Sequence, residues 1–200
     1  MSEPRDDADR QLISAAREGD RGAFDRLVHR YKATLYRFVR RYVGTPEDAY
    51  DLLQETFVSA WLALPRFQSQ RSFSTWLHAI ALNKCRDHAR RRTVRRRISA
   101  LLLASGSALL RDPSNDPEST DLPDPLRQRR LDVAIAALPS RYKEPLLLTL
   151  VSGMTHQQAA QQLGLTTKAV EMRLRRAKRR LREALTERAE IGTPSEQPVR

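Results

Sequence analysis

A single cysteine, Cys85, occurs in 200 residues. This excludes an internal disulfide framework and any zinc or iron–sulfur site built on several thiolates; Cys85 reads as a packed or partly exposed thiol. Glycine is scarce, with 7 residues against 11 prolines, which argues against a turn-rich sandwich or barrel. No apolar run approaches the ~20 residues of a membrane span. The longest, Ile98–Leu110, is short and interrupted by Ser and Gly. Met1–Asp9 is polar and mixed in charge, unlike a signal peptide. His29, His78, His88 and His156 show no metal-binding spacing, and no Gly-rich phosphate loop or nucleophile motif is present; an enzyme is therefore disfavoured. What the chain has in excess is positive charge: 36 Lys and Arg against 24 Asp and Glu, a net +12. With 40% hydrophobic residues it has enough apolar material for compact cores. The expectation is a soluble, intracellular, basic, helical protein with a polyanionic partner, most simply nucleic acid.

The apolar periods are helical. Phe24, Leu27, Val28, Tyr31, Leu35, Phe38, Val39 and Tyr42 follow steps of three and four, predicting a long amphipathic helix closed by Gly44. Leu12, Ile13 and Ala16 predict a shorter helix before it. Thr45-Pro46-Glu47-Asp48 reads as a helix start, with Thr45 as N-cap. That helix carries a core stripe of Ala49, Leu53, Phe57, Ala60 and Leu64 and stops at Pro65. A polar loop holding Phe67 follows. A further helix begins near Phe73; its stripe (Phe73, Trp76, Leu77, Ile80) ends midway, so its second half, into Arg90-Arg91-Arg92, must leave the core. Asp112–Asp124 has five acids, three prolines and no Lys or Arg, which predicts a linker. Helical patterns resume at Leu126 and again at Pro139-Ser140, with Pro145 in the second turn of that helix. No internal repeat or strand period is evident.

Met154 to Val170 has the form of a helix-turn-helix. Thr155 and Gln158 form a capping box, Ala159 and Ala160 permit close packing, and Gly164 suits a left-handed turn. On the second helix Val170, Leu174, Ala177 and Leu181 share one face. Lys168, Met172, Arg175, Arg176 and Arg179 occupy the other. Such a basic face suits the major groove: Arg175 and Arg176 could pair with guanine and Glu171 with cytosine, while Lys168, Arg173 and Arg179 suit phosphates. A solvated basic helix is the plain alternative. In the first half, Asp48, Asp51, Glu55, Val58 and Leu62 mix acids with exposed apolar residues, which fits a protein partner; a solvated face is the plain alternative. Ala79, Asn83, Arg86 and Arg90 form a stripe beside Phe67 and Trp76 that could hold an unstacked base; the plain alternative is that both aromatics are core.

Asp51-Leu52-Leu53-Gln54-Glu55-Thr56-Phe57, Phe67, Phe73-Ser74-Thr75-Trp76-Leu77, Ile80-Ala81-Leu82-Asn83 and Asp87 resemble region 2 of bacterial sigma factors, closest to the extracytoplasmic-function (ECF) class. Leu138-Pro139, Leu146 to Leu150, Gly153 and the helix-turn-helix resemble region 4. The resemblance implies an all-α, two-domain promoter-specificity subunit of RNA polymerase, working without catalysis, metal or cofactor in the cytoplasm. Its partners would be core polymerase, promoter DNA and an anti-sigma factor, with no membrane contact of its own. Asp48, Asp51, Gln54 and Glu55 would dock on the polymerase clamp helices. Phe67, the loop Gln68, Ser69, Gln70, Arg71 and Ser72, and Asn83 would form the pocket for a flipped −10 base, with Trp76, Arg86 and Arg90 supporting the strand. Lys168, Glu171, Met172, Arg173, Arg175, Arg176 and Arg179 would meet the −35 element.

The implied organisation is a disordered start at 1–8, region 2 at 9–97, a linker at 98–125, region 4 at 126–187 and a disordered tail at 188–200. Ile98–Leu110 is greasier than a linker needs, which suggests an extra helix or a regulator contact. The stretch from Thr93 to Pro125 reaches at most ~110 Å. Promoter elements about 25 base pairs apart lie roughly 85 Å apart, so the linker must be largely extended. A free duplex-binding activator or repressor with a helical sensor domain, and a basic adaptor for RNA or membranes, remain the competing readings.

Overall fold

The computed structural model describes residues 4–68, 72–104 and 125–190. All regular structure among them is helical: α1 (Pro4–Arg17), α2 (Arg21–Val43), α3 (Pro46–Ala63), a single 3-10 turn (Leu64–Arg66), α4 (Phe73–Ala104), α5 (Pro125–Ala137), α6 (Ser140–Leu150), α7 (His156–Leu163) and α8 (Thr167–Glu190). Helix α1 begins at Pro4, ahead of the expected start of order at residue 9. It is pinned to α2 by the buried Asp9, which accepts from Arg30 and from the Tyr31 hydroxyl.

Helix α2 is the centre of the first unit. Asp20 caps it, its carboxylate accepting from the Ala23 N–H at 3.1 Å. Gly44 ends it in the left-handed region at φ 93°. Leu27, Leu35, Phe38 and Val39 are fully buried along it, and α1, α3 and α4 pack around it. Thr45 precedes α3 as expected, but its hydroxyl makes no backbone cap; it donates to Asp48 Oδ2 at 2.7 Å. The stripe of α3 is Ala49, Leu52, Leu53, Thr56 and Ala60, with Phe57 only half-buried.

Helix α4 is buried in its first half through Phe73, Leu77, Ala81, Leu82 and Cys85. Beyond Asp87 nearly every described side chain is half-buried or exposed, as the interrupted stripe predicts. The helix does not stop at Arg97: it continues to Ala104, so the first half of the Ile98–Leu110 segment extends α4 and adds no separate helix there. Residues 105–110, and the acidic stretch 112–124, lie outside the described residues.

His78 sits at the α2–α4 contact with no exposed surface. Its Nδ1–H donates to the Ser74 carbonyl at 2.8 Å, the Phe38 ring stands edge-on at 5.3 Å, and Nε2 has no partner. Burial lowers its pKa below the usual 6.5 against the opposing pull of the Ser74 bond. Below pH 6.5 the unfolded chain therefore binds a proton that the folded chain refuses, and stability falls with pH by at most about 1.4 kcal/mol per unit. Comparing urea unfolding of the wild type and His78→Leu between neutral and mildly acid pH isolates this contribution. The variant is expected to have the shallower slope, and parallel profiles contradict the assignment.

The second unit is built on α6. Tyr142 to Leu148 are all buried, so this helix is covered on every side: by α7 and α8 on one flank, and by α2 of the first unit on the other. Pro145 is accommodated within the helix, whose span is continuous across it.

Candidate nucleic-acid and polymerase interfaces

The helix-turn-helix forms as its residues dictate. The Thr155 hydroxyl accepts from Gln158 N–H at 3.1 Å, and the Gln158 side chain returns the bond to Thr155 N–H at 2.9 Å. Gly164 makes the turn at φ 66°, ψ 37°, a conformation in which a side chain is strained. Leu165 N–H then bonds back to the Ala160 carbonyl at 2.9 Å, and the Thr166 hydroxyl caps α8 through Ala169 N–H at 3.2 Å. Val170, Leu174 and Ala177 are buried. Lys168, Glu171, Met172, Arg175, Arg176 and Arg179 are exposed, and Arg173 is half-buried. The structure thus brings the candidate groove-reading residues onto one outward face. Glu171 lies 3.6 Å from His156 Nδ1, and Arg179 lies 3.7 Å from Glu183.

On α3, Asp51, Gln54 and Glu55 are exposed and Asp48 is half-buried. Two of the acids lean toward α4: Asp48 is 3.4 Å from His88 Nε2, and Glu55 is 3.4 Å from Lys84 Nζ. Beside them Val58 and Leu62 stand in solvent at 60% and 73% exposure.

The α4 stripe is only partly as expected. Asn83 and Arg90 are exposed and Trp76 is half-buried. Phe67 is not a surface group: it is 5% exposed and packs on Phe73 and Trp76, with ring centroids 5.7 and 4.9 Å away. A chain emerging from the 3-10 turn with extended backbone at Phe67 inserts the ring inward, where it recovers its hydration cost. Phe67 is thus part of the core beneath the half-buried Trp76. Gln68 is exposed; Ser69, Gln70 and Arg71 lie outside the described residues.

Arg86 departs most from the expectation. Its guanidinium forks onto Glu144 of α6, Nε to Oε1 at 2.9 Å and Nη2 to Oε2 at 2.6 Å. That hydrogen bond holds Arg86 more firmly protonated than usual. The Tyr42 hydroxyl also donates to Glu144 Oε1, at 3.2 Å. Beside it the Lys143 ammonium donates to the Tyr42 carbonyl at 3.1 Å. Burial pushes Lys143 down to about 8 and pushes the neighbouring Cys85 thiol up, leaving that thiol protonated and inert. No sequence pattern announced this cluster, although the unbroken burial of α6 has a trace in the consecutive leucines 146–148.

Among the described residues no group of His, Cys, Asp and Glu is placed to hold a metal, and no helix is long and apolar enough to cross a membrane.

The sigma-70 region 2 model matches residues 27–95 and the sigma-70 region 4 model residues 128–181. RNA polymerase sigma factor CnrH of Cupriavidus metallidurans is 39% identical over 88% of this chain and 93% of its own length. NccH of Alcaligenes xylosoxydans is 36% identical over 90% and 95%. The ECF sigma factor SigM of Mycobacterium tuberculosis is 31% identical over 89% and 85%. Among solved structures, CnrH in complex with the cytosolic domain of CnrY aligns with a TM-score of 0.66 at 32% identity, covering 90% of this chain and 98% of that one. With both regions in order on two helical units, the chain belongs to the ECF class of RNA polymerase sigma factors, which confer promoter specificity in transcription initiation.

Proposed function

We propose that the chain works entirely by binding, in the cytoplasm, with the chemistry left to core polymerase. In this reading residues 9–97 form the polymerase- and −10-binding unit, 126–187 the −35-binding unit and 98–125 their connection. Asp48, Asp51, Gln54 and Glu55, with Val58 and Leu62, form the face that docks on the polymerase clamp. Asn83, Trp76, Arg90 and the Gln68–Ser72 loop, backed by Phe67, take up the melted −10 strand, with Arg86 on its phosphates. Glu171, Met172, Arg175 and Arg176 read −35 base edges, and Lys168, Arg173 and Arg179 hold the backbone there. The observation that carries this reading is the coexistence in one chain of a capped helix-turn-helix with an outward basic face and a separate helix pair offering an acidic–apolar face next to an exposed Asn83 stripe. A duplex-binding repressor has no use for the second feature. By analogy with CnrH, whose solved complex is with the cytosolic domain of CnrY, an anti-sigma protein holds this chain in check.

Run-off transcription with purified core polymerase, with and without the chain, tests the assignment. The chain is expected to direct initiation from a promoter that core alone ignores. Asn83→Ala is expected to lower open-complex formation by about tenfold or more, in line with the loss of one base contact, with little change in polymerase affinity. Normal melting by Asn83→Ala removes the pocket assignment.

A further inference from the structure

The contact between the two units, made by α2 and α4 against α5 and α6, is unusual in chemistry. It places a carboxylate, Glu144, largely out of water and gives it three donor bonds, two from the Arg86 fork on α4 and one from the Tyr42 hydroxyl on α2. A second pair, Arg41 Nε to Asp132 Oδ1 at 2.9 Å, ties α2 to α5 nearby. The two sheltered oxygens offered to one guanidinium fork are what a phosphodiester offers. Asn83 and Arg90, one turn to either side of Arg86 on α4, remain exposed; only the middle position of the stripe is occupied.

We propose that Glu144 is an internal stand-in for a DNA phosphate: it occupies Arg86 and keeps the units closed, so that the −10 strand and the second unit compete for the same guanidinium. The proposal rests on the reading of α4 as the −10 surface. Its logic is mutual exclusion. A planar fork satisfied by two carboxylate oxygens cannot simultaneously grip a phosphate in the same geometry. Units in direct contact also cannot sit on promoter elements roughly 85 Å apart. DNA binding at both elements therefore requires that Glu144 leave Arg86, and each promoter phosphate that takes its place offsets part of the cost of opening. Polymerase, by docking the first unit separately, favours the same open form, which makes its binding and DNA binding mutually reinforcing.

The test uses the full-length chain without polymerase. Glu144→Gln keeps the side-chain size and removes the charge. It is expected to expand the chain in small-angle scattering and to raise its affinity for a labelled random-sequence single-stranded oligonucleotide by about tenfold, equivalent to 1.4 kcal/mol. Adding Arg86→Ala to that variant is expected to abolish the gain while leaving the expansion. A cleavable crosslink between cysteines placed at 41 and 132, in a Cys85→Ala background, is expected to suppress oligonucleotide binding until it is cleaved; it tests closure even where Glu144→Gln unfolds. Unchanged dimensions and affinity in Glu144→Gln, or full binding by the crosslinked chain, overturn the proposal. Arg90→Ala separates this from the underlying reading: it is expected to weaken oligonucleotide binding in the wild type whether or not the latch exists, and if it does not, the −10 assignment of α4 is what fails.

Discussion

Replacing Val58 and Leu62 together by Asp is expected to weaken association with core RNA polymerase by about a hundredfold, while leaving thermal unfolding of the free chain nearly unchanged. Both side chains stand in water, at 60% and 73% exposure, on the face of α3 that also carries Asp51 and Glu55. An exposed apolar pair costs the free protein solvation energy and gives its own core nothing. Covered by a partner, the same pair is the kind of desolvated anchor that dominates an interface, worth about 2 kcal/mol or more per strong site. Introducing charge there leaves two carboxylates to be desolvated on docking. The measurement is equilibrium binding of labelled chain to purified core enzyme, with the melting temperature as control. An unchanged dissociation constant would show that polymerase uses another surface. Both positions are exposed, so a fall in stability beyond about 0.5 kcal/mol is not expected.

The opposite profile is expected for Phe38→Ala. Phe38 has no exposed surface; it lies on the central helix α2 and meets the His78 ring of α4. Truncation removes a ring's worth of transfer energy and leaves a cavity that rigid neighbours fill poorly, at a cost of about 3–5 kcal/mol. Domains of this kind hold only about 5–15 kcal/mol in total, so the variant is expected to unfold at far lower urea and to accumulate poorly in cells. Phe38→Leu is expected to lose much less. A loss under about 1 kcal/mol for the alanine variant would mean that α2 does not organise the first unit.

Much of this architecture was legible because local chemistry and tertiary packing agree. The three-four spacing from Phe24 to Tyr42 predicts α2, and the structure buries its apolar face. Thr155, Gln158 and Gly164 each carry their own local reason for the helix-turn-helix, and each makes the bond or dihedral expected of it. What the sequence leaves open has physical causes. The loop holding Phe67 looks polar, and nothing in its neighbours tells whether a lone aromatic points in or out; Phe73 and Trp76, meeting it from α4, decide that. Helix α4 runs on to Ala104 although its core stripe has ended, because arginine, leucine and alanine favour helix without any packing. The Arg86–Glu144 fork joins residues 58 positions apart, and no periodicity connects them. Lys143 and Glu144 are two charges on α6 that no spacing marks out; they are buried, bonded to Tyr42 and Arg86 of the first unit.

Under the proposed competition for Arg86, the shelter around Glu144 also makes the balance sensitive to ionic strength. Counterions screen a sheltered carboxylate–guanidinium pair weakly, whereas each phosphate contact with DNA loses ground steeply as salt rises, because the condensed ions it must release are then less willing to leave. On that proposal, added electrolyte tilts the balance toward the carboxylate without altering a single residue, by the same physics that loosens DNA-binding proteins in general from their DNA.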